Sequence, residues 1–392
     1  MLICLQLAYV LNFFHRQLPA LMAPQLMEAF SLSKTEVGLL AGTAFALVYA
    51  VAGVVVSFYG SGKSLRIMIG ISVAAWSATV MFTSFASSAQ ALFLWRMLFA
   101  VLQSAVTPQI YALLAMLFQA GQRGGVISWY ATGIYAGLAL SFAAGGFFAS
   151  MPWQHVYLYS GVPGLGIALV LLVLLPAGRY ANEKSVVTWK DIGALYAGAA
   201  VRWHTLGFSL LSVTGYSMLT FASLYIAQYG GGREMLLPFA LFMVGTAASV
   251  LIAGLVSDHL AITGEKNRFL VPVVTTLAGS GLYAAGFLTT TPSTAFLLFG
   301  FGMVFTSSYN GLAPAMLQNM VEPQLRAVAG AVYLLVINVA GLGGGPPLTG
   351  YLADKTGSLP LAMMLVMAVC NVLAVAAFAS GFRAMRRSVT TQ

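Results

Sequence analysis

Charged side chains make up 7% of the 392 residues, where a soluble domain carries about 25%. So little charge excludes a water-soluble globule. Acids are the scarcest group: nine Asp and Glu stand against eighteen Lys and Arg, and residues 1–180 hold only Glu28 and Glu36. That shortage excludes paired catalytic carboxylates in the first half, and no HExxH or CxxC spacing occurs anywhere in the chain. Cys4 and Cys370 lie far apart in apolar segments, so each reads as a small buried hydrophobe, with no disulfide framework or metal site. "SFYGSGKS" ends like a phosphate-binding loop, but Ser57 occupies the place of the required first glycine and no strand precedes it. An enzyme is not expected, nor a cofactor.

What fills the chain is apolar, at 60% hydrophobic residues. Runs near the 20 or so residues that cross a bilayer recur between short polar breaks. They predict twelve helices, at roughly 2–25, 37–58, 65–86, 89–119, 124–150, 156–177, 203–229, 234–257, 268–290, 292–319, 325–352 and 358–383. The expected fold class is therefore an all-α membrane protein. "MLICLQLAYVL" has no basic leader region, so no cleavable signal is expected. The net charge of +9 is spread over segment ends and forms no stripe, so nucleic acid is not an expected partner.

The basic residues set the expected orientation. Thirteen Lys and Arg fall in even-numbered loops, the central linker and the tail, against Lys34, Arg233 and Lys355 in odd-numbered loops. By the positive-inside rule both termini are cytoplasmic, and the cell inner membrane is the expected location. Gly53 and Gly254, Pro108 and Pro314, Arg123 and Arg326, and Gly146 and Gly350 repeat at offsets of 201 to 206 residues. Such a constant offset predicts two parallel six-helix repeats, the major facilitator architecture, with a solute site near the midplane between them. The expected boundaries are 1–178 for the first bundle, 179–202 for a cytoplasmic linker, 203–384 for the second bundle and 385–392 for a tail. A monomer is expected.

Several motifs carry a further resemblance. "YVLNFFHRQ", "LSKTEVGLLAGTAFALVYAVAG", "WRMLFAVLQSAVTP" and "GVPGLGIALVL" resemble helices one, two, four and six of the spinster-like branch of that superfamily. The resemblance covers about the first 180 residues well and the rest more loosely. It implies transport of lipid-like amphiphiles such as lysophospholipids or sphingoid-base phosphates, or of other organic anions, often coupled to protons. This sequence departs from the pattern at His15 and Gln103, where the branch has Asp and Glu, and at Ser61 and Met116, where acids are common. Arg16, Arg96, Pro108 and Arg123 are kept, so every departure removes an acid and every charge retained is basic.

Helical spacing puts Asn12, His15 and Arg16 on one face with Tyr9, and Arg96, Gln103 and Thr107 on another. Burying an arginine at the bilayer centre costs about 2.5–3.5 kcal/mol on insertion scales. With no acid nearby, an anionic ligand is an economical partner, because a guanidinium fork suits carboxylate or phosphate. The alternatives are that Arg16 and Arg96 bond helix-end carbonyls, snorkel to the interface, or hold two helices together in every conformational state. His15 is the candidate proton-coupling residue. Gln103 reads as a hydrogen-bonding replacement for an acid. In the second half Ser308, Tyr309 and Asn310 of "FTSSYNG" are cavity candidates or interhelical contacts. Tyr130, Tyr135, Tyr216 and Tyr225 are candidate cavity aromatics, with packing or interface anchoring the commoner role of aromatics in spans. Asp258, Arg123 and Arg326, in loops between helices, are candidate gating residues. The function expected is secondary transport by alternating access of an anionic or amphipathic organic solute, the only other partner being membrane lipid. The competing expectation is a transport-inactive sensor or scaffold that keeps the fold.

Overall fold

A computed structural model describes residues 1–59, 64–119, 126, 129–148, 150–176, 189–229, 235–322 and 325–390. The first half runs α1 (Leu2–Leu21), α2 (Ala23–Phe30), α3 (Lys34–Gly38), a π-helical segment (Leu39–Thr43), α4 (Ala44–Tyr59) and α5 (Leu65–Thr83). It continues with α6 (Ala89–Ser104), α7 (Val106–Leu117), α8 (Gly133–Phe148) and α9 (Trp153–Leu174). After α10 (Trp189–Leu195) come α11 (Ala199–Tyr229), α12 (Leu236–Ala261), α13 (Leu270–Leu288), α14 (Pro292–Thr306) and α15 (Tyr309–Met320). The chain ends with α16 (Arg326–Ile337), a second π-helical segment (Asn338–Gly344), α17 (Gly345–Thr356) and α18 (Leu359–Thr390).

Eleven stretches among the described residues are long and apolar enough to cross a membrane. The twelfth span is α1, 20 residues long, whose Asn12, His15, Arg16 and Gln17 lower its hydropathy. Large apolar side chains such as Leu241, Leu255 and Leu169 stand two-thirds or more exposed. Surfaces of that kind face hydrocarbon.

By its internal contacts the chain divides into two compact units, Met1–Lys184 with Leu236–Ala240, and Ser185–Met235 with Leu241–Gln392. In the first, glycine sets how closely helices approach. A Cβ on Gly137 of α8 would collide with the Val10 carbonyl and sit 2.9 Å from Phe13 Cβ on α1. The second unit repeats the device 204 residues on. A Cβ on Gly341 would lie 2.7 Å from Ser212 Cβ, and one on Gly345 2.6 Å from the Val213 carbonyl, both on α11. Gly137→Ala is therefore expected to destabilise the protein by about 1–3 kcal/mol, the usual penalty of overpacking. Thermal unfolding in detergent checks this, with Gly166→Ala, whose added methyl meets nothing within 4 Å, leaving the midpoint unchanged.

The core of the second unit gathers Phe208, Phe269, Phe378, Tyr309 and Tyr333. A buried amide ties three helices there: Thr214 Oγ1 on α11 donates to Asn371 Oδ1 on α18 at 2.9 Å, and Asn371 Nδ2 donates to Ser280 Oγ on α13 at 2.9 Å. His204 Nε2 meets the Ala313 carbonyl of α15 at 2.9 Å.

Candidate functional site

Both acids of the first half lie in the connection after α1, and Glu36 is used by the backbone. Ser33 caps α3 by accepting from the Glu36 amide at 3.2 Å, while Glu36 Oε2 accepts from the Ser33 amide at 2.8 Å. That reciprocal box commits Glu36 to the start of α3. Among the described residues neither Arg16 nor Arg96 has an ion-pair partner.

The two arginines are satisfied differently. Arg96 is 6% exposed. Its Nε donates to the Leu40 carbonyl at 3.2 Å, and one terminal nitrogen donates to the Ala41 and Arg16 carbonyls at 3.0 and 3.1 Å. Leu40 and Ala41 belong to the π-helical segment, where wider winding alters the main-chain pairing of a regular α-helix. Arg96 thus ties α6 to α1 and to the π turn through main-chain oxygens.

Arg16 is half-buried. Its Nε donates to Gln103 Oε1 at 2.6 Å, and Gln103 Nε2 donates onward to the Asn12 carbonyl at 3.3 Å. Gln103 is fully buried and stands two turns beyond Arg96 on α6, so one helix face fixes both the main chain and the side chain of residue 16. Around the guanidinium lie three rings, Phe13, Phe45 and Tyr49, with centroids 4.7, 4.7 and 4.8 Å from Cζ. Phe45 also lies 4.8 Å from Arg96 Cζ, so the two cations share one ring. Cation–π contact of this kind contributes about 0.5–2 kcal/mol each without neutralising the charge.

His15 does not join that cluster. Its Nε2 meets the Ser160 carbonyl of α9 at 2.9 Å, which makes Nε2 the protonated nitrogen of the neutral ring. With Arg96 and Tyr157 it lines a cavity of about 20 Å³, the room of roughly one water molecule. The face expected to carry Asn12, His15 and Arg16 together is therefore split, with His15 turned to α9 and Arg16 to α6. Asn12 is 1% exposed and both its amide atoms lack a hydrogen-bond partner. Thr107 is part-buried on α7, beyond the break at Ala105.

In the second unit Ser308 and Tyr309 are buried, Tyr309 within the aromatic core at 6.1 Å from Phe208. Asn310 is exposed and donates to the Ser307 carbonyl at 3.1 Å. Asp258 and Glu265 hold Arg268 at 2.6 and 2.7 Å, an ion-paired cluster where α12 turns towards α13. Arg123 lies outside the described residues, and Arg326 starts α16 with its side chain outside them. Among the described residues no three His, Cys, Asp or Glu gather to hold a metal ion.

The aromatic surround of Arg16 was not anticipated from the sequence. Phe13 three residues before Arg16, and Phe45 and Tyr49 one turn apart, were the available signal. Tyr130, a candidate cavity aromatic, is instead buried in packing: it stacks on Tyr9 at 4.2 Å, and Tyr111 meets it edge-on at 5.9 Å. Tyr225 packs against Phe299 at 5.0 Å.

The family model of the Major Facilitator Superfamily matches residues 5–345. An "MFS-type efflux pump" of Mycolicibacterium smegmatis is 26% identical over 401 aligned positions, covering 95% of this chain and 92% of that one. A "Hexuronate transporter" of Bacillus subtilis is 24% identical with the same coverage. Among solved structures, a bacterial homologue of the human lysosomal transporter Spinster, inward-facing and unoccupied, superposes with a TM-score of 0.84 at 23% identity, over 98% of this chain and 96% of that one. The nucleoside transporter NupG gives 0.74 at 14% identity, over 97% and 98%. At those identities the likeness is one of fold.

Proposed function

Because this chain belongs to the Major Facilitator Superfamily, and is a membrane transporter rather than an enzyme, we propose that it moves an anionic or amphipathic organic solute by alternating access. The observation that carries this is the Arg16 guanidinium, held by a neutral amide and by ring faces with no carboxylate against it among the described residues. A part-buried charge in that state gains most from an incoming anion, and the fork of a guanidinium fits carboxylate or phosphate in two parallel bonds. The hexuronate handled by one relative is itself an organic anion. A lysophospholipid-like solute would offer a phosphate to the same fork.

In this proposal Arg16 is the anchor, while Gln103 and Arg96 position it. Asn12, Thr107 and the Ser308–Asn310 run are supporting contacts, and Asp258 with Arg268 steadies a loop. His15 holds α1 to α9 and carries no compulsory proton. The carrier works as a monomer in the inner membrane with both termini cytoplasmic, the orientation the basic loops favour.

Reconstituted liposomes test the reading. Purified protein should catalyse saturable flux of labelled glucuronate, benzoate or lysophosphatidate, accelerated by unlabelled anion on the opposite side, and none of neutral glucose. Flux of glucose alone would overturn the anion, and no flux of any solute would favour the sensor or scaffold.

A further inference from the structure

The cavity of about 20 Å³ beside Arg96 is where four helices of the first unit bring polar side chains together: His15 of α1, Thr83 of α5, Arg96 of α6 and Tyr157 of α9. All four are more than nine-tenths buried. Its remaining walls are apolar or aromatic, among them Val80 and Leu92.

Two of the four carry a buried atom with no hydrogen-bond partner among the described residues. His15 gives Nε2 to the Ser160 carbonyl at 2.9 Å, so Nδ1 is left as an acceptor without a donor. Tyr157 Oη is unpaired as well, on a ring packed edge-on against Trp153 at 6.0 Å and within electrostatic reach of Arg96. Arg96 has given Nε and one terminal nitrogen to main-chain carbonyls and keeps the other terminal nitrogen as a donor. Thr83 Oγ1 donates to the Thr79 carbonyl at 2.8 Å and can still accept. Buried polar atoms are nearly always paired, and two orphans at one cavity point to a shared partner.

Size and chemistry select that partner. The volume takes about one water molecule, and a buried water needs two to four polar partners. The set is mixed in sense: Arg96 and Tyr157 offer donors, while His15 offers a lone pair. A chloride ion would suit the donors and be repelled by Nδ1. A metal cation would face the guanidinium. A neutral molecule that both donates and accepts satisfies every member, and water is the one of this size.

We infer that one water molecule is a fixed part of this protein, accepting from Arg96 and Tyr157 and donating to His15 Nδ1, and that Tyr157 is thereby a positioning residue for the Arg16 anchor. Tyr157 and Ser160 lie three residues apart on α9, so that single turn grips α1 directly through His15 and α6 through the water. Arg96 in turn holds the residue 16 carbonyl at 3.1 Å. The water stands on the cavity alone; its effect on transport rests on the anion reading of Arg16.

A structure of the full chain at a resolution that shows ordered water should contain a single peak at hydrogen-bond distance from His15 Nδ1, Tyr157 Oη and Arg96. Absence of that peak would overturn the inference, and an anomalous bromide signal at the same place in bromide medium would assign an anion there instead. Two substitutions remove the water by independent means. Tyr157→Phe deletes one partner and keeps the ring, and Val80→Leu adds a carbon to the cavity wall. Each should lower liposome flux of whichever of labelled glucuronate, benzoate and lysophosphatidate the unaltered protein carries by about three- to tenfold, the worth of one buried hydrogen bond. The double variant should be no slower than the slower single one, because both changes remove the same molecule. Additive losses would assign the two residues separate packing roles, and unchanged flux in Tyr157→Phe would remove it from positioning. If the unaltered protein carries none of the three anions, the anion reading fails and with it the positioning role of Tyr157, while the density still decides the water.

Discussion

Arg16→Ala is expected to cut saturable anion flux in liposomes at least about 30-fold, because truncating one partner of a buried, hydrogen-bonded charge pair costs about 2–5 kcal/mol. The fold should survive. Arg96 reaches residue 16 through its main-chain carbonyl, at 3.1 Å, and alanine keeps that oxygen. The local penalty is confined to Gln103, whose Oε1 loses its donor, and to the space between Phe13, Phe45 and Tyr49. Thermal unfolding should therefore show a folded protein that does not transport. Arg16→Lys should retain a fraction of the flux, since a lysine supplies the charge without the planar fork. Transport by the alanine variant at the unaltered rate would remove Arg16 from the mechanism.

Gln103→Glu should turn a pH-insensitive carrier into an acid-dependent one. The two side chains have the same shape, so a carboxylate at 103 can take Arg16 Nε in the position now held by the amide oxygen at 2.6 Å. It would also neutralise the guanidinium. At about 4 Å and an effective dielectric near 20, that attraction is worth about 4 kcal/mol, which an incoming anion must overcome. At pH 7.5 affinity should fall by about 100-fold or more, and it should recover by up to about tenfold per unit of acidification. The sign follows from linkage: protonating residue 103 frees Arg16, so proton and anion favour each other's binding.

The unaltered protein should show no such dependence between pH 5.5 and 7.5 beyond the titration of the solute itself. The groups around Arg16 are Arg96, which shares the Phe45 ring with it, and the tyrosine Tyr49, with no carboxylate among the described residues in contact with it. His15 is the remaining candidate, and it donates across to Ser160 rather than to the cluster. Proton-driven flux in the unaltered protein would contradict this picture, and His15→Gln would then show whether the imidazole is responsible.

Span number and the two-repeat fold were legible because each leaves a one-dimensional trace. Hydrophobic length gives the helices, and pairs such as Gly146 and Gly350, 204 residues apart, give the repeat. The division of labour between Arg16 and Arg96 was not legible. Both are arginines in spans, and only the geometry separates one held by three carbonyls from one held by an amide. His15 shows the same limit. Periodicity puts residues 12, 15 and 16 on one broad face, yet neighbours in such an arc point about 100° apart, enough to reach different helices. The role of Tyr309 was hidden for a related reason, since a polar run does not disclose which of its members turn into the core.

The π-helical segment at Leu39–Thr43 does more than present carbonyls to Arg96. A π turn holds about one residue more than an α turn, and each residue advances a helix by about 100° of azimuth. All of α4 is therefore rotated, relative to the capped start of α3, by that single extra residue. Rewound as a plain α-helix, the same sequence would point Phe45 and Tyr49 more than a quarter-turn away from Arg16. The phase of one helix thus decides whether the arginine has aromatic walls at all.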